Sequence, residues 1–319
     1  MGLIEKLYTV IIFIAVMIGL IIGQIDFIQS NAESLIVPLI MAMLTITFLQ
    51  MPIEDIRAAF KNRKFTYTSV LINFVWTPIL SWLLALLFLG DTPALYIGFI
   101  ILMITPCTDW YLIFTGIAKG NVALSTALLP VNLILQVILL PAYLLVFGGT
   151  TGAIQFPILL ESIVTALLIP FILSFLIKML VRNNQQLKDR LLSKINNLPI
   201  IFLGLAIMAM FASQGQLLVT HLDLLWRITI PILLFFIINF FVSQKVGHLL
   251  KFPIADGKSL SMTTLARNSP TALAIAMTAF PNEPLIPLTL VVGPLLELPL
   301  LAIVTQMLIG ISKKPNAIT

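Results

Sequence analysis

Apolar residues run along this chain in ten long blocks, each closed by polar, glycine or proline punctuation. The blocks fall at about 7–25, 35–51, 67–90, 94–118, 120–147, 155–180, 198–218, 225–247, 258–280 and 284–311. A helix of ~20 apolar residues crosses a bilayer, so the pattern predicts ten transmembrane helices joined by short loops.

Composition agrees with that pattern. Of 319 residues, 60% are hydrophobic and only 10% charged, and the mean hydropathy is +1.10. Soluble domains carry about 25% charged residues, so a soluble globular fold is excluded. One cysteine excludes a disulfide scaffold. The first block is too long for a signal-peptide core, and Gln24-Ile25-Asp26 lacks the small residues of a cleavage site.

The net charge of +5 and pI of 9.4 would, on a soluble chain, point to nucleic acid. Here the basic residues sort by loop instead, and the bilayer is the expected partner. With the N-terminus inside, every Lys and Arg except Arg227 and Arg267 lies in an inside segment. Arg227 lies outside and Arg267 inside a span, while Asp26, Glu33, Asp91, Asp223 and Glu283 fall in outside loops. Retention of Lys and Arg on the cytoplasmic side sets orientation. Both termini are expected in the cytoplasm, in a plasma membrane.

Five spans lie on each side of the linker Gly148-Gly149-Thr150-Thr151-Gly152. An odd number per half means that the second half enters from the opposite face, so the halves 1–152 and 153–319 are expected to be inverted repeats. An offset of 164 residues pairs Pro106 with Pro270, Pro130 with Pro294 and Gln50 with Gln214.

Pro106 and Pro270 each fall in mid-span, in the fourth helix of their half. Proline removes a backbone donor and clashes with the preceding turn. Thr105-Pro106-Cys107-Thr108-Asp109 and Arg267-Asn268-Ser269-Pro270 surround both prolines with polar residues. Thr or Ser before proline is the signature of a helix start, so spans 4 and 9 read as two half-helices each, the second beginning at the proline. Opened backbone at membrane depth is tolerated where it lines a cavity or is buried in protein. A matched pair of interrupted helices points to a transporter's midplane site. Simple proline kinks are the bland alternative.

Several polar residues then become candidates. Asp109 and Arg267 are opposite charges near the two breaks, and an unpaired charge there costs on the order of 3 kcal/mol. They form either a static pair at the helix crossing or, with Asp109 protonating, a coupling element. Glu297, in the middle of span 10, is either an ion or proton site or a buried structural acid. Asn132 and Gln136 lie four apart on one face of span 5, as helix–helix contacts unless that face meets the break in span 4. Cys107 follows the proline, at the second position of the expected half-helix, where a thiol is activated. Lone membrane cysteines are otherwise small hydrophobes. Thr108, Asn268 and Ser269 join Cys107 as expected substrate-binding residues. Glu161, His221 and His248 are assigned no chemistry.

The segment Pro106-Cys107-Thr108 resembles the Pro-Cys-Thr segment of arsenite-efflux permeases in the bile acid:sodium symporter superfamily. Ala118-Lys119-Gly120-Asn121, the Asn132 to Gln136 face and Leu273-Ala274-Ile275-Ala276 resemble the stretches that follow the two breaks in that family. The resemblance implies ten helices in two inverted five-helix repeats, a sodium/proton antiporter-like fold in which broken helices 4 and 9 cross. It implies a core of spans 3–5 and 8–10 and a panel of spans 1, 2, 6 and 7, with Cys107 as the arsenite-contacting thiol and proton antiport as the coupling. Two departures stand out. The family usually carries a glutamate just after the span 9 break, where this chain has Thr271-Ala272-Leu273, and Asp109 stands where relatives have a small neutral residue. Arg267 is a fixed cation beside the break, which disfavours sodium there.

The expected function is secondary active efflux of arsenite or a related metalloid by alternating access. The alternative is an organic-anion carrier of the same fold, proton- or sodium-coupled, with Arg267 as the anion's partner. An intramembrane enzyme is not expected, because the spans carry no His/Ser pairing and no His-Glu-x-x-His. A channel stays open as a class, although broken inverted repeats favour alternating access. No Walker-type loop is present. No resident metal, cofactor or nucleic-acid partner is expected.

Overall fold

The computed structural model describes residues 8–50, 60–107, 111–148, 157, 161–162, 164–181, 184–195, 197–220, 222–280 and 282–311. Seven of its helices are long and apolar enough to cross a membrane: Asp26–Gln50, Arg63–Leu89, Val122–Gly148, Val164–Val181, Leu198–Thr220, Trp226–Leu249 and Leu285–Gly310. Three shorter apolar helices, Val10–Ile22, Pro93–Met103 and Ser269–Ala279, fall in the first, fourth and ninth apolar blocks of the sequence. The chain is an all-helical, multi-pass membrane protein.

In chain order the helices are α1 (Tyr8–Ile22), α2 (Asp26–Gln50), α3 (Arg63–Leu89), α4 (Pro93–Met103), α5 (Tyr111–Ile117) and α6 (Val122–Gly148). They continue as α7 (Val164–Val181), α8 (Gln185–Ile195), α9 (Leu198–Thr220), α10 (Leu222–Leu249), α11 (Ile254–Leu265), α12 (Ser269–Ala279) and α13 (Leu285–Ile311). Two of these depart from the hydrophobic pattern. α2 starts at Asp26, well before its apolar block, because polar residues there serve the helix. Asp26 lies in the first turn, where a carboxylate meets the positive end of the dipole, and Asn31 returns its amide to the Phe27 carbonyl at 2.7 Å. α8 occupies a stretch read as loop. Its apolar residues Leu187, Leu191 and Ile195 recur every four, a single stripe too narrow to register as a span.

The helices divide into two compact units. The first comprises Met1–Met51, Gly148–Trp226 and Ser269–Leu295. Within it α9 packs along both α1 and α2, and α7 along α2. Gly19 and Gly23 let the α1 backbone touch α9, since a side chain at either would collide with the carbonyl oxygens of Met208 and Ala212. Phe48 and Phe171 meet edge to face at 6.0 Å.

The second unit comprises Pro52–Phe147, Arg227–Asn268 and Leu296–Thr319. Phe65, Ile72, Leu124, Leu128 and Leu260 form a core that joins α3, α6 and α11. Beside this core the helix ends are tied by polar contacts. Asn62 and Asn121 cap α3 and α6, their side-chain oxygens accepting from Phe65 N–H at 3.2 Å and Leu124 N–H at 3.1 Å. Each gives its amide N–H to one oxygen of the buried Asp256 carboxylate, at 3.5 Å from Asn62 and 2.9 Å from Asn121. Asp256 itself lies in the first turn of α11, so one carboxylate joins three helix N-termini. Lys258, also buried, donates to the Ala118 carbonyl just past α5 at 2.6 Å. In α3 the ladder widens to a π turn over Ile72–Trp76, an irregularity that π-bulges often place at functional sites.

Candidate functional site

The two proline-bearing spans are interrupted. α4 ends at Met103 and α5 begins at Tyr111, while α11 ends at Leu265 and α12 begins at Ser269. The intervening segments meet as an antiparallel bridge between Pro106 and Arg267. Cys107 N–H donates to the Ala266 carbonyl at 3.1 Å, and Asn268 N–H to the Thr105 carbonyl at 2.7 Å. Backbone freed by the breaks is therefore re-paired, as a low-dielectric setting requires.

The carbonyls at the ends of α4 and α11 show how completely this is done. On α4 the Thr105 hydroxyl donates to the carbonyls of Ile101 (3.0 Å) and Leu102 (2.9 Å). Met103 receives Nη1 of Arg267 at 3.0 Å. On α11 the Met262 carbonyl takes Ala266 N–H at 3.2 Å, and Thr263 takes the Asn73 amide at 3.2 Å. The Thr264 carbonyl takes Nη2 of Arg267 at 2.6 Å, and Leu265 takes its Nε at 3.2 Å. An α-helix leaves its last carbonyls without partners, and one guanidinium closes the ends of two helices here.

Arg267 is 1% exposed. Its Nη2 also donates to Asn73 Oδ1 at 3.0 Å, placing four of the five guanidinium N–H groups on protein acceptors. The Phe235 ring lies 5.4 Å from its Cζ, a cation–π contact. Glu297, 2% exposed on α13, accepts the backbone N–H of Arg267 through Oε1 at 2.8 Å. The cation therefore sits at the negative ends of two helix dipoles, with a carboxylate close by.

The residues singled out from sequence fare differently. Arg267, Glu297, Asn268, Pro106 and Cys107 converge on the crossing, and Ser269 and Pro270 open the helix that leaves it. Cys107 is in no disulfide and is 2% exposed. Cys107 itself is not helical, and its N–H is spent on the Ala266 carbonyl. Thr108 and Asp109 lie outside the described residues. Asn132 and Gln136 are buried on α6, and neither amide has a hydrogen-bond partner among the described residues. The exposed Arg227 forms a salt bridge with Asp91. Sequence reasoning missed Asn73, Asp256 and Asn62. Only the polarity of Asn73 in an apolar helix marked it, and the π turn that aims it has no sequence signal. Among the described residues no three His, Cys, Asp or Glu side chains come together to hold a metal.

The model of the sodium bile acid symporter family matches residues 35–221. The arsenical-resistance protein Acr3 of Corynebacterium glutamicum is 27% identical over 246 residues, covering 73% of this chain and 66% of that protein. The arsenical-resistance protein Acr3 of Alkaliphilus metalliredigens is 22% identical over 328 residues, covering 94% and 90%. An uncharacterized transporter of Synechocystis sp. is 24% identical over 348 residues, covering 98% and 89%.

Proposed function

The chain belongs to the sodium bile acid symporter family, and from that premise we propose that this transporter exports arsenite by proton antiport. The arsenical-resistance relatives support the substrate. Ten spans in two inverted five-helix repeats, 1–152 and 153–319, fit the paired breaks. In this reading spans 3–5 and 8–10 form the core that alternates access against a panel of spans 1, 2, 6 and 7. Both termini lie in the cytoplasm of the plasma membrane, as the distribution of Lys and Arg supports.

The observation that carries the coupling is the setting of Arg267. Its guanidinium is held by three main-chain carbonyls and the Asn73 amide oxygen, the kind of oxygen shell that coordinates an alkali cation. A resident cation with that shell removes the need for sodium and repels one that approaches. A proton remains as the coupling ion, with Glu297 as its carrier next to the cation and Asp109 as a second acid. The same setting speaks against an organic anion, because Arg267 has almost no donor left to give one.

Cys107 takes the arsenite. One As–OH exchanges for As–S, and the thiol proton leaves with the hydroxide as water. One sulfur binds a soft metalloid weakly enough to let it go, and Thr108, Asn268 and Ser269 complete the contact.

The test is arsenite accumulation by everted membrane vesicles under an imposed proton gradient, wild type against Cys107→Ser. Gradient-driven uptake that the variant loses is the expected result. Uptake that survives in the variant returns Cys107 to packing, and absence of uptake with intact protein in the membrane sinks the arsenite reading.

A further inference from the structure

One feature of the second unit is left unused by the crossing. Asn132 is 0% and Gln136 1% exposed, and among the described residues all four polar atoms of their amides lack hydrogen-bond partners. Buried amides are almost always bonded, and in a membrane core the cost of leaving them bare is higher still. Two such side chains one turn apart on the same face of α6 make a single, uncharged polar surface. Among the described residues neither amide finds a hydrogen-bond donor or acceptor on a neighbouring helix, so interhelical hydrogen bonding does not account for them.

Their depth follows from two contacts that hold α6 against α3. Ala127 and Val131 pack on Val70, and Phe147 stacks on Trp82 at 5.9 Å. Interpolating between these two contacts sets Asn132 and Gln136 level with the π turn Ile72–Trp76. That turn carries Asn73, which bonds the Arg267 guanidinium and the Thr263 carbonyl. The unpartnered amides thus lie at the depth of the helix crossing. Among the described residues, Ser69 Oγ and Thr77 Oγ1 on α3 and Ser125 Oγ on α6 are also buried without hydrogen-bond partners.

We infer that Asn132 and Gln136 form an uncharged subsite that binds the hydroxyl groups of the transported solute. Carboxamides offer both donors and acceptors, which suits a small neutral molecule with several hydroxyls, such as arsenous acid. They offer no charge to an anion or a cation. The subsite rests on the arsenite-transport reading and deepens it: the thiol supplies affinity for the metalloid, and the amides select its neutral hydroxylated form.

The full-length protein in proteoliposomes tests this, wild type against the double variant Asn132→Leu/Gln136→Leu, with arsenite as the probe. Replacing bare buried amides by apolar side chains of similar size leaves the melting temperature in detergent at or above the wild-type value. The KM for arsenite rises at least tenfold, with Vmax less affected. A fall in melting temperature identifies the amides as structural and overturns the inference, as does an unchanged KM. Should the double variant fail to reach the membrane, Gln136→Met alone decides: a threefold rise in KM supports the subsite and an unchanged KM overturns it. Wild-type protein that moves no arsenite overturns the function and the subsite together, whereas wild-type uptake with an unaltered variant KM removes the subsite alone.

Discussion

Two buried charges organise the second unit, and they gather opposite ends of helices. Arg267 collects carbonyls at the C-termini of α4 and α11, and Asp256 collects the asparagine caps at the N-termini of α3 and α6 while sitting in the first turn of α11. Both follow the dipole rule that cations suit C-terminal ends and anions N-terminal ends. They differ in what surrounds them. Arg267 is 1% exposed and stands where two spans have been opened. Asp256 is 8% exposed and joins helices at their natural ends. The first charge re-pairs backbone opened at the two breaks, and the second ties down ends that every helix has.

Removing the deeper charge has the larger effect. Arg267→Gln leaves carbonyls of both helix ends without donors and strips Glu297 of its neighbouring cation. The expected destabilisation is about 3–5 kcal/mol, seen as a lower melting temperature in detergent and loss of transport. Arg267→Lys restores the charge but not the planar fork, and recovers only part of either. If the lysine variant matches wild type, charge alone suffices and the carbonyl shell is incidental.

Asp256→Ala sharpens the contrast from the other side. It strands the amide N–H groups of Asn62 and Asn121 without touching the crossing. The expected loss is about 1–3 kcal/mol in thermal unfolding, with the KM for arsenite unchanged. A shift in KM equal to that of an Arg267 variant erases the distinction between the two regions.

The smallest effect belongs to the exposed Asp91–Arg227 pair. The hydrogen bond from Arg227 holds the Asp91 carboxyl below its ordinary value of 3.8. A lowered folded-state pKa contributes stability that is present above the unfolded value and lost as pH falls through the folded one. The melting-temperature gap between wild type and Asp91→Asn is therefore small at neutral pH and closes below about pH 4. A gap that widens in acid contradicts the assignment.

Much of this was legible in the sequence, and the parts that were not share a cause. Pro106 and Pro270 announce the two breaks because proline acts on its own backbone, wherever the chain goes next. Arg267 and Glu297 stand out because charge inside an apolar block is costly in any fold. Asn73, Asn62 and Asp256 do not stand out, since their roles arise only when helices distant in sequence meet. Cys107 illustrates the same limit: its neighbours in sequence favour a helix start, and the Ala266 carbonyl, far along the chain, holds it in the bridge instead. Local chemistry reads from the sequence, and pairing across the crossing needs the structure.

The central claim is that Arg267 supplies the fixed positive charge at the crossing, so that transport needs no sodium. The direct measurement is arsenite uptake into proteoliposomes under an imposed proton gradient, with sodium in the medium or fully replaced by choline. Equal initial rates are expected in the two media. A rate that rises with sodium and saturates contradicts it.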